Sequence, residues 1–171
     1  MGKTANIWSV PVTLEEIPET GLHRDLEAPA EVRAAIAKLA GLRELPELAG
    51  SFDLVRRGAG VAVTGRVQGR VGQTCVVTLD PIENFIDEAI DVVFAPASEP
   101  AHTLATDAEP PEALVDGKVD LGALATEFLM LAIDPYPRKP GAQFATPKME
   151  DGGEHPFAAL AALKQRPGGQ S

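Results

Sequence analysis

The side chains best able to do chemistry here are a single cysteine, Cys75, a few scattered histidines, and a set of arginines and carboxylates in a strand-rich middle. A metal site draws on about four ligands. The histidine nearest Cys75 is His102, while His23 and His155 fall in segments that read as loops; no metal and no other cofactor is expected. A thiol nucleophile needs an adjacent base. None accompanies Cys75, and a cysteine in a strand usually serves as a small apolar filler. Gly58-Ala59-Gly60, with Gly65, Gly69 and Gly72, lacks the fixed spacing and following helix of a phosphate loop. Glu15-Glu16 and Asp87-Glu88 are sequence neighbours that point apart on an extended chain, so neither pair suits acid–base work.

Arginines are the better candidates. Arg66 and Arg70 share one parity, and four residues at about 3.3 Å each set them roughly 13 Å apart on one strand face, a span over which two guanidinium groups can grip neighbouring phosphates. With Arg56 and Arg57 they make the candidate binding surface. The competing use of Arg66 and Arg70 is cross-strand pairing with Asp87 or Asp91, which weighs slightly more.

Strands must position these groups. Val61, Val63, Val67 and Val71 alternate with Thr64, Arg66, Gln68 and Arg70, the period-2 pattern of a half-buried strand. Gly72-Gln73-Thr74 is expected to turn the chain into a strand over Cys75–Leu79, ended by Asp80-Pro81. Residues 85–94 then alternate with Ile86, Ile90, Val92 and Phe94 inward; Glu88 breaks the pattern, through a bulge or an open inner face. Phe52–Arg57 precedes the meander as a strand. Residues 7–12 suggest an opening strand, kept at a sheet edge by Pro11, with Trp8 capping a core. Thr13–Leu26 and Leu42–Leu48 read as connections.

Helix one is expected from Pro29 to Leu39, stopped by Gly41, with Val32, Ile36 and Leu39 on one face. A second helix over Leu121–Ile133, capped by Asp120 and ended by Asp134-Pro135, is so apolar that it should be buried on the sheet, with Glu127 at its margin beside an arginine. The fold class is therefore α+β: a strongly curved antiparallel β-meander, open or barrel-like, packed by two helices, with a flexible tail. One domain over 1–137 and a tail over 138–171 are expected. Within the tail, Phe157, Leu160 and Leu163 stand at helical spacing behind Pro156 and form a candidate docking segment over 156–164.

The 171 residues carry a formal charge of −10, and it is unevenly spread. Residues 73–134 hold 13 Asp and Glu against Lys118 alone, so this half repels phosphate. Residues 97–117, acidic and proline-containing, read as a long loop. One cysteine excludes an internal disulfide framework, and no apolar run approaches the roughly 18 residues of a membrane span. A cytoplasmic protein with no membrane partner is expected.

Three stretches together resemble the YceD-like family, named for accumulation of large-subunit ribosomal RNA. They are Val67–Pro81, with Cys75 and then Leu79-Asp80-Pro81; Val119–Pro135, with Asp120-Leu121, Glu127 and Leu129-Met130-Leu131; and Pro156–Lys164. Many members have Cys-x-x-Cys at the first stretch, where this chain has Thr78. The resemblance implies a non-enzymatic factor in large-subunit biogenesis that binds ribosomal RNA through the arginines, or a basic ribosomal protein through its acidic half. The alternatives are an RNA-processing hydrolase or nuclease, and a small structural protein-interaction module.

Overall fold

The computed structural model describes residues 6–96 and 111–144. In chain order it contains β1 (Pro11–Thr13), a 3-10 turn (Leu14–Glu16), β2 (Leu22–Glu27), α1 (Ala30–Ala40), β3 (Glu44–Arg57), β4 (Gly60–Thr74), β5 (Pro81–Ala95), β6 (Glu112–Ala113), β7 (Lys118–Asp120) and α2 (Leu121–Ala132). The 97–110 part of the expected acidic loop and the docking residues Phe157, Leu160 and Leu163 lie outside the described residues.

Alternation builds the sheet. Val61, Val63, Val67 and Val71 of β4 are buried, and they face Leu48, Phe52 and Leu54 of β3 and Ile86 and Ile90 of β5 in one core. The order is β2-β3-β4-β5-β6, antiparallel except for the short parallel pair β5–β6. This is the α+β fold, but the sheet is open: it ends at β2 and β6 and does not close into a barrel. β1 joins no edge of this sheet and instead pairs with β7 in a separate two-stranded ribbon.

Several local expectations need correction. Leu22–Glu27 forms the edge strand β2, and Leu42–Leu48 is no mere connection, since β3 already starts at Glu44. Pro46 fits because the β3–β4 register shifts between Glu44 and Glu47, where a missing N–H costs no ladder bond. Residues 72–74 do not turn; β4 runs on to Thr74, and Cys75–Asp80 is the turn itself. The Cys75 amide donates to the Asp80 carbonyl (2.8 Å) and the Leu79 amide to the Cys75 carbonyl (2.9 Å), with Leu79 in left-handed backbone at φ 61°. β-branched Val76-Val77-Thr78 looked like a strand, yet these turn bonds take the amides a ladder would need. β4 and β5 pair without a register shift, so Glu88 is not bulged; it shares the packed parity, opposite Val67, and reaches water.

Both helices have local causes. Gly41 ends α1 in left-handed backbone (φ 66°), a conformation glycine adopts without Cβ strain. Ile36 and Ala37 form its buried stripe, whereas Leu39, expected on that stripe, is 58% exposed. Asp120 caps α2, and its carboxylate accepts from Ala123 N–H (3.1 Å), Val10 N–H (2.8 Å), the Ser9 hydroxyl (2.7 Å) and the Asn6 amide (2.9 Å). One group thus joins the N-terminal segment, the ribbon and the helix. Burial pulls the Asp120 pKa upward, but these four donors outweigh it and hold it below the ordinary value. Gly122 is required by close approach, since a Cβ there would meet the Trp8 carbonyl at 2.8 Å. Trp8 is buried in the core, as its position suggested. Neither helix is long and apolar enough to cross a membrane.

Candidate functional site

The solvent face of the sheet carries the arginines singled out from sequence. The register puts Arg57, Arg66 and Arg70 on this face together with Asp25 and Glu27 of β2, Glu44, Glu47 and Asp53 of β3, and Glu83, Asp87 and Asp91 of β5. Carboxylates therefore outnumber arginines by eight to three on that face. Arg56 does not join them. It lies opposite Val61, on the packed parity, and its guanidinium donates to the Leu14 carbonyl, so the four arginines do not make one patch.

Arg66 and Arg70 are engaged locally. Arg66 Nε donates to Asp87 Oδ1 at 2.8 Å, a diagonal contact across β4 and β5. That bond holds the Asp87 carboxyl below its ordinary range and raises the Arg66 guanidinium. Arg70 lies between Glu47 (3.6 Å) on one neighbouring strand and Glu83 (3.8 Å) on the other. The expected pairing with Asp87 thus holds for Arg66; Arg70 uses acids that the sequence reading did not name, because β3 was not known to reach Glu47. Asp91 stands opposite Thr64 instead.

Beside these pairs lies a depression of about 520 Å³ over the small side chains Ala49 and Ser51, with Asp25 and Glu27 on one rim and Arg66 and Gln68 on the other. Next to it His23 is held between carboxylates, Nδ1 to Asp53 Oδ1 at 2.7 Å and Nε2 to Asp25 Oδ1 at 3.2 Å. The bond to Asp53, then that to Asp25, raises the His23 pKa. Asp25 is lowered by the Ser51 hydroxyl and by His23. Sequence reasoning missed this cluster because its residues come from β2, read as a connection, and from the strand opposite.

Cys75 is buried, but at the start of a turn and not inside a strand. Its sulfur accepts from Lys139 N–H (3.3 Å) and Thr78 N–H (3.4 Å). These donors, Lys139 first and then the Thr78 hydroxyl and amide, favour the thiolate and bring the thiol pKa down to about 6. Each is a donor, so none can act as a base towards the thiol. Val76 N–H donates to the Pro137 carbonyl (2.9 Å), and Lys139 Nζ reaches Asp80 (3.1 Å), tying the chain after α2 to this turn. Among the described residues no group of three or more His, Cys, Asp or Glu is arranged to hold a metal ion.

α2 is less buried than its composition suggested. Leu121, Leu124, Ala125 and Leu129 pack inward, but Leu131 is 78% exposed and Met130 and Glu127 also face water. No ion pair of Glu127 with an arginine is present among the described residues.

A family model described as large ribosomal RNA subunit accumulation protein YceD matches residues 63–164. No curated protein and no solved structure gives a significant match.

Proposed function

Because the chain belongs to the YceD family of large ribosomal RNA subunit accumulation proteins, we propose that it is a non-enzymatic cytoplasmic factor that supports this accumulation by binding a basic ribosomal protein. The observation that carries this reading is the charge balance of the open sheet face. A phosphate approaching Arg66 must displace Asp87 and enter a field set by eight carboxylates against three arginines. A lysine or arginine from a partner meets the opposite field, with Asp25 and Glu27 at the rim of the depression to accept it. Direct RNA binding is the second reading, and Arg57, Arg66 and Arg70 are the residues it would use.

The test is to isolate the full chain with its natural complexes, identify the bound proteins and sequence the bound RNA. The expected result is a basic large-subunit protein that survives ribonuclease, dissociates in salt, and is recovered several-fold less by the Asp25→Asn, Glu27→Gln double variant. The opposite result is recovered RNA whose affinity falls on Arg66→Ala with Arg70→Ala at every sequence, with a salt slope flattened by up to about two charges' worth.

A further inference from the structure

Seven of the ten large hydrophobic side chains exposed among the described residues fall in two segments, 76–85 and 130–144. Val76, Leu79 and Phe85 come from the turn between β4 and β5 and the strand after it; Met130, Leu131 and Tyr136, followed by Phe144, come from the end of α2 and beyond. The two segments are held together. Val76 N–H bonds the Pro137 carbonyl, the Gln73 amide donates to the Asp134 carbonyl (2.8 Å), and Lys139 reaches both Cys75 and Asp80. Between them is a recess of about 260 Å³ lined by Phe85, Ile86, Ala132, Asp134 and Arg138 among others, with room for an aromatic side chain. Leu79 is the sharpest anomaly: a bulky residue in left-handed backbone, where glycine or asparagine is at ease, and 75% exposed. Turn geometry does not call for leucine there. An occupant covering it does.

We propose that residues 156–164 of this same chain dock on that apolar end as a short amphipathic helix. The described chain ends at Phe144, itself exposed and five residues after Lys139, which bonds the Cys75 turn, and eleven residues separate it from Pro156. Such a connector spans at most about 40 Å, ample for a return to its own starting point. Phe157, Leu160 and Leu163 recur at helical spacing and make one apolar stripe to set against Leu79, Leu131 and Tyr136. Charge fits as well. Glu127 is exposed one turn before Leu131, and Lys164 and Arg166 follow the stripe. Three side chains cannot by themselves offset the entropy of ordering nine residues; a ready apolar surface changes the balance, because its own exposed area leaves water at the same time. The docked segment covers the end of α2 and the Cys75 turn, and a partner that offered a better groove would compete for it. This inference is independent of what the sheet face binds.

Amide exchange on the full-length chain tests it. In the parent, residues 156–164 should exchange at least about tenfold more slowly than in Phe157→Ser, Leu160→Ser, and the protection should be unchanged on dilution. Leu131→Ser, a change at an exposed position that the core does not use, should release the segment to the same extent. Unprotected rates in the parent would overturn the proposal. So would protection that vanishes on dilution, which identifies a second copy as the occupant, or protection indifferent to Leu131→Ser, which puts the segment elsewhere.

Discussion

The two faces of the sheet are built from the same strands and obey opposite rules. On the packed face, β3, β4 and β5 contribute Phe52, Leu54, Val61, Val63, Val67 and Ile90, each almost fully removed from water. One residue along, the same backbone presents Arg66, Asp87, Arg70, Glu47 and Glu83, exposed and joined by contacts of 2.8 to 3.8 Å. Apolar burial returns roughly 1.5–3 kcal/mol per large side chain, while exposed ion pairs return at most about 1 kcal/mol. Stability therefore resides on one side, and the other is free to serve recognition.

The comparison can be broken most directly at Phe52. Phe52→Ala should cost about 3–5 kcal/mol in urea unfolding, because the ring is fully buried and its cavity cannot collapse between β2 and β4. Asp120→Ala, which strips a polar group serving the packed side, should cost about 1–3 kcal/mol, through the lost α2 cap and the donors of Ser9 and Val10 left without their acceptor. The same carboxylate links stability to pH. Its folded pKa is depressed, so its contribution is complete above the unfolded value near 3.8 and is lost as pH falls through the folded one. Cys75→Ser should cost about 1 kcal/mol, since serine accepts the same amides from Lys139 and Thr78 but fills less apolar space.

On the solvent face the effects should shrink. A double-mutant cycle of Arg66→Ala and Asp87→Ala should give a coupling below about 1 kcal/mol, given that Arg66 is 59% exposed; a coupling of several kcal/mol would show that this face is part of the core after all. His23 should register the smallest change. Its pKa, followed by NMR, should lie above the ordinary 6.5 and drop in Asp53→Asn. As a group raised by folding, it lends stability that is complete below the unfolded pKa and disappears as pH rises through the folded one.

How much of this was legible in the sequence follows the same division. The β4 valines, the Asp120 cap and the Gly41 stop are local signals, and each landed where expected. β2 was invisible because Leu22–Glu27 is an edge strand with three exposed polar residues in a row, His23, Arg24 and Asp25, which erases alternation. Pro46 hid the start of β3, since only the register with β4 reveals the irregularity that accepts it. Cys75–Leu79 misled in the other direction: strand-forming side chains were overruled by turn hydrogen bonds and by the return of Lys139 from 64 residues away. Of the candidate arginines, parity correctly grouped Arg66 with Arg70. It could not show that Arg56 is engaged by Leu14, a contact across 42 positions of sequence.

The pairing of β1 with β7 also sets a timetable. Val12 lies opposite Val119, and Trp8 and Val10 are held by groups at Gly122 and Asp120, so this segment lacks its strand partner until more than a hundred further residues have been synthesised. The hairpins β3–β4 and β4–β5, by contrast, join neighbours and can form as soon as they emerge. Topology of this kind separates a fast local phase from a slow long-range closure. In pulse-labelled refolding, amides of β4 should gain protection first and those of Val12 and Val119 last, which leaves the underside of the young sheet uncovered until the chain has grown past α2.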